Sequence, residues 1–91
     1  MSRDEIERAL EMAIEELAGV EHERWSHWQR FMHGKGKRLP DGSLVLPAEL
    51  VRRWECQLNT PYTELGETEK ESDREQVRRY LPFVLRALDS K

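Results

Sequence analysis

His22-Glu23-Arg24-Trp25-Ser26-His27-Trp28-Gln29-Arg30-Phe31-Met32-His33-Gly34-Lys35-Gly36-Lys37-Arg38 is the passage on which the fold turns. Its first half keeps helical order: Trp25, Trp28, Phe31 and Met32 recur at three- and four-residue spacing and put large apolar side chains on one stripe. Its second half breaks that order. Two glycines among cations remove the stripe and loosen the backbone, so the helix is predicted to end at about His33. The third tryptophan, Trp54, follows sixteen residues after Arg38. Rings set among Arg, Lys and His suit core packing, and they equally suit a grip on a planar anionic ligand through stacking and cation–π attraction.

Working outward, Ser2 with Glu5 spells a capping box, and Ile6, Ala9, Leu10, Ala13, Ile14 and Leu17 form an amphipathic stripe. Val20 joins that stripe to the tryptophans, while Gly19 interrupts it. The pattern predicts either one long bent helix or two helices joined near Gly19, with the tryptophans facing the same core. Residues 34–43 read as loop around Asp41-Gly42, ending in a short extended Leu44-Val45-Leu46. Pro47 suits the first position of a helix whose Leu50, Val51, Trp54 and Leu58 share a face. A turn at Asn59-Thr60-Pro61-Tyr62 follows. Thr68 with Glu71, or Ser72 with Glu75, can cap a last helix carrying Val77, Tyr80, Leu81, Val84, Leu85 and Leu88, which Pro82 is predicted to kink or split. The fold class is mainly α: one compact helical domain over residues 1–91 with a central loop and short extended segments.

A chain of 91 residues stands near the lower limit for folding without staples, so oligomerisation would help it. With 37% hydrophobic and 36% charged residues it has no apolar run long enough to span a membrane. The charged start Met1-Ser2-Arg3-Asp4-Glu5 lacks the pattern of a secretory signal, so a cytoplasmic location is expected. Cys56, the single cysteine, reads as a small buried hydrophobe. The net charge of -3 argues against a nucleic-acid binder, which needs a concentrated cationic face. Charge is uneven: residues 1–20 hold six acids and two bases, residues 21–57 five acids and seven bases with three histidines, and residues 58–91 seven acids and six bases. Only the middle has a surplus of bases, and it can hold one or two phosphates of a small molecule or form a solvated loop tip.

Thr60-Pro61-Tyr62-Thr63-Glu64-Leu65-Gly66-Glu67-Thr68-Glu69-Lys70-Glu71-Ser72-Asp73-Arg74 resembles the ryanodine-receptor (RyR) repeat domain, with its Pro-Tyr, Leu, Glu-Lys and Asp-Arg-like elements. Leu17-Ala18, His22 and Trp25 are similar to the first helix of that family, and the likeness covers residues 13–85. It implies two long helices packed beside an ordered loop, and binding rather than catalysis. In tandem repeats of the family an adenine nucleotide has been placed in the cleft between halves, stacked on aromatic side chains. A lone repeat then implies a homodimer. Where the family often has Gly-Trp-x-Tyr-Gly, this chain has Gly34-Lys35-Gly36-Lys37. Either Trp28 or Trp54 replaces the missing stacking ring, or the nucleotide function is lost.

The residues put forward for a ligand site are Trp25, Trp28, Lys35, Lys37, Arg38, Arg53, Trp54 and Tyr62. Trp25 and Trp54 read first as core, Lys35, Lys37 and Arg38 as a solvated loop, and Tyr62 as a tie between loop and helix, with the ligand role as the alternative for each. No catalytic set emerges: His22-Glu23 and His27 miss the His-Glu-x-x-His spacing, no nucleophile sits in an elbow, and no metal or cofactor motif is present. The reading is a non-enzymatic protein that binds a nucleotide-derived anion, a cyclic nucleotide or an ADP-ribose derivative. Small single-repeat relatives of this type occur in bacteria and their phages. In a phage, such a binder would sequester a host defence signal in the host cytoplasm. The alternative is a helical protein-interaction module without a small ligand.

Overall fold

A computed structural model describes residues 1–89, in the order α1 (Arg3–Met12), α2 (Ile14–Lys35), β1 (Lys37–Arg38), β2 (Leu44–Val45), α3 (Ala48–Leu58), a single 3₁₀ turn (Tyr62–Glu64) and α4 (Glu67–Asp89). The mainly helical class and the short extended pieces are as the sequence predicts. Ser2 caps α1: its hydroxyl accepts from the Glu5 amide at 3.2 Å and the Glu5 carboxylate accepts from the Ser2 amide at 3.0 Å. That second bond, chiefly, holds the Glu5 carboxyl below its ordinary pKa.

The break in the first helical run falls at Ala13, not near Gly19. Ala13 closes α1 and opens α2, and its side chain is 4% exposed, the only buried residue among those described. Gly19 lies inside α2, its missing methyl facing open space. A glycine costs a helix only about 1 kcal/mol, which a 22-residue helix absorbs. Pro82, expected to kink or split its helix, does not split it. It stands inside α4, which begins at Glu67, upstream of both predicted caps, with Gly66 accepting from the Lys70 amide at 3.0 Å.

Residues 37–45 are more ordered than a loop. β1 and β2 pair antiparallel, with Lys37 opposite Val45 and Arg38 opposite Leu44. The turn is fixed by the Asp41 carboxylate accepting from the Ser43 amide at 2.9 Å and by Gly42 at φ +93°. Gly36 lets the hairpin close on the end of α2, for a methyl there would stand 3.2 Å from a Leu46 methyl and 3.3 Å from one of Leu44.

The two long helices run antiparallel. Arg86 on α4 donates to Glu16 on α2 at 3.0 Å, and Tyr80 donates its hydroxyl to Glu21, which also pairs with Arg24. Arg24 and then Tyr80 hold the Glu21 carboxyl down at about 2, against an ordinary 4.5. α1 packs on the far end of α4, where Ala9, Ala13, Arg86 and Ala87 line a shallow hollow and Met12 at its rim stays 85% exposed. The result is a single helical layer of 54 × 34 × 16 Å with a radius of gyration of 18.0 Å. No helix among the described residues is long and apolar enough to cross a membrane.

Candidate functional site

The C-terminal half of α2, the whole of α3 and the first turns of α4 surround an open cleft of about 800 Å³. α2 contributes Trp28, Phe31 and Lys35, which recur at three- and four-residue spacing and so share a face. α3 contributes Leu50, Arg53, Trp54 and Gln57 by the same periodicity, and α4 closes the far side with Thr68, Glu69, Ser72 and Asp73. Pro47 stands just before α3, its carbonyl accepting from Leu50 and Val51 at 3.0 and 3.2 Å, which sets where the α3 stripe begins.

Three rings form a continuous aromatic wall. Trp28 stacks on Phe31 with centroids 5.6 Å apart and meets Trp54 edge-on at 5.4 Å. Lys35 lies over the Phe31 ring with its ammonium 5.2 Å from the centroid. Trp28 remains 39% exposed, whereas Trp54 is half-buried. Across the cleft the Gln57 amide donates to Glu69 at 2.9 Å, tying α3 to α4. The lining therefore offers rings for stacking, two cations for an anion, and carboxylates and hydroxyls for the amino and hydroxyl groups of a ligand.

Of the residues put forward from sequence, the cleft brings together Trp28, Lys35, Arg53 and Trp54. Trp25 lies off it. It is 52% exposed, with its ring near His22 at 6.1 Å, and does not share a core with the other tryptophans. It stands one turn before Trp28, beyond the end of the cleft lining. Lys37 and Arg38 belong to the hairpin rather than to a loose loop, and the Arg38 guanidinium donates to the Gly42 carbonyl at 2.9 Å. Tyr62 lines a separate shallow depression of about 310 Å³ with Arg74, Val77 and Arg78, sharing Asp73 with the cleft. Lys70 sits 5.9 Å from its ring centroid. Arg74 is paired with Glu67 and Glu71 at 3.1 and 3.4 Å, and Arg78 with Glu71 at 2.6 Å, so these cations are already matched.

Phe31, Gln57, Glu69 and Asp73 are among the cleft residues that sequence reasoning missed. Phe31 was assigned to the core stripe. Gln57 carried a usable signal: it is a polar side chain three residues after Trp54, on the apolar face of α3. Cys56, expected to be buried, is exposed, beside a smaller hollow of about 360 Å³ that shares Arg53, Gln57 and Glu69 with the cleft. Among the described residues no three His, Cys, Asp or Glu side chains gather as a metal site. No protein-family model, curated protein or solved structure matches the chain.

Proposed function

We propose that the protein is a non-enzymatic receptor for a nucleotide-derived anion, held in the cleft between α2, α3 and α4. One observation carries the reading: Trp28, Trp54 and Phe31 line the same cleft as Lys35 and Arg53. A base stacked on an exposed ring contributes about 1–3 kcal/mol, and charge-assisted contacts to phosphate add to it. The cleft, at about 800 Å³, is of the size that holds ligands from a mononucleotide to a small cyclic oligonucleotide. Glu69 and Asp73 on the opposite wall favour a ligand with base amino or ribose hydroxyl groups over a bare phosphate.

The finer parts of the proposal rest on the RyR-like sequence pattern, supported by two long helices beside an ordered hairpin. They are membership of that family, action as a homodimer in the cytoplasm, and a role as a phage sponge that removes a host defence signal. Binding without turnover is all that such a role requires. The test is thermal unfolding against mononucleotides, cyclic oligonucleotides and ADP-ribose derivatives, followed by tryptophan fluorescence. A ligand at about 100 times its Kd adds roughly 2.7 kcal/mol and raises Tm by several degrees. A panel that moves neither Tm nor fluorescence would reject the receptor. It would favour a protein-interaction module, the reading supported by exposed Leu58, Leu81 and Leu85.

A further inference from the structure

A folded chain of 10.8 kDa is expected to expose roughly 5,500 Å² when compact. This one exposes 7510 Å², an excess of about 2,000 Å² over that expectation. Its radius of gyration of 18.0 Å likewise exceeds the about 12 Å of a compact domain of this length. The excess follows from architecture. Domains bury their apolar faces between two layers, and a Cα envelope 16 Å thick has room for one layer of helices.

Met12 and Leu58 are exposed at separate places, and one further part of the uncovered apolar surface forms a row. On α4, Val77, Leu81 and Leu85 recur every fourth residue and are 53–67% exposed. The apolar arc of this helix, from Phe83 round to Leu85, spans about 200° at 100° per residue, and a single row of neighbours cannot cover it. On α2, Ile14 and Trp25 are similarly exposed. Because the two helices run antiparallel, their residue numbers wind in opposite senses. Ile14 and Trp25 therefore come to the same side of the layer as Val77, Leu81 and Leu85, and the Glu16–Arg86 ion pair crosses the other side.

We infer that this face, centred on Val77, Leu81 and Leu85 and flanked by Ile14 and Trp25, is the surface on which a second copy of the chain docks to form an obligate homodimer. A second copy carries the same deficit and the same patch, so one symmetric contact supplies both chains with their missing layer. The excess bounds the area such a contact can recover at about 4,000 Å² in total over both copies, a bound that reaches into the range of obligate homodimers. Trp25 thereby belongs to the pairing surface, and the ligand cleft is left to Trp28 and Trp54. The inference rests on area and architecture and is independent of the ligand.

Sedimentation equilibrium without ligand tests it, together with the dependence of Tm on protein concentration. The expected result is a mass of twice 10.8 kDa at micromolar concentration and a Tm that rises with concentration. In Leu81→Glu the dimer should be lost, and Tm should fall with it. The milder Leu85→Gln should still fold at high concentration, with dissociation shifted upward at least tenfold. A control, Glu75→Gln on the polar side of α4, should leave both unchanged. A mass of 10.8 kDa with a Tm indifferent to concentration would overturn the inference, and so would a dimer that survives both leucine substitutions.

Discussion

Trp28 on α2 meets Trp54 on α3 edge-on, with ring centroids 5.4 Å apart and planes inclined at 72°. The contact joins two helices that carry the cleft and leaves Trp28 partly open to it. Replacing Trp28 with Ala should weaken binding of the best ligand from the nucleotide panel by about 10- to 100-fold, the equivalent of one lost base stack. Trp28→Phe should recover a good part of that loss. Calorimetric titration of both variants checks this, and equal affinity in all three proteins would place the ligand elsewhere.

Lys35 and Arg53 are the two cations of the cleft. If they meet phosphate, raising salt from about 0.05 to 0.3 M should weaken binding in the wild type, because partly exposed charges are screened over that range. Lys35→Ala and Arg53→Ala should each bind several-fold more weakly and show a shallower salt dependence. A substitution that lowers affinity while keeping the full salt slope would show a packing role instead.

The Glu21 carboxyl is held at about 2 rather than 4.5 by Arg24 and by the Tyr80 hydroxyl. A carboxyl with a lowered pKa in the folded state contributes stability that is complete above 4.5 and is lost as pH falls toward 2. Glu21→Gln should therefore flatten the fall of Tm with pH across that window while leaving the remaining acid response, to which Glu71 and Asp41 contribute in the same direction. Tm measured from pH 7 to pH 2 in both proteins gives the comparison; parallel curves would remove Glu21 from the account.

Two glycines should respond with opposite sign. Gly19 is helical and faces open space, so Gly19→Ala should stabilise by about 0.5–1 kcal/mol. Gly42 turns the hairpin at φ +93°, and Gly42→Ala should destabilise by about 1 kcal/mol or more. Urea unfolding of the two variants decides, and a stabilised Gly42→Ala would contradict the turn.

The elements were legible where local rules decide them. Ser2 and Glu5 announced the start of α1, and the Leu50, Val51, Trp54 and Leu58 stripe gave α3 its extent. What could not be read were outcomes of competition between local preference and packing. Ala13, a good helix former, closes one helix and opens the next while being the one buried residue among those described, and Pro82 is carried within a helix long enough to tolerate a missing donor. Lys37 and Arg38 show no apolar alternation, so the hairpin that pairs them with Val45 and Leu44 was hidden. The cleft was half visible. Trp28, Lys35, Arg53 and Trp54 were identified as residues, but their meeting depends on how α3 returns to α2, and nothing in the spacing separates Trp25 from Trp28.

The thin helical layer has a kinetic counterpart. Its contacts are mostly between neighbours in sequence, and helices with such local topology form within microseconds to milliseconds. Apart from isomerisation at the four Xaa-Pro bonds, no slow internal search remains to be made. If the face of Val77, Leu81 and Leu85 is closed by a second copy, the encounter between chains becomes the slow step, and the half-time of refolding should shorten in proportion as protein concentration rises.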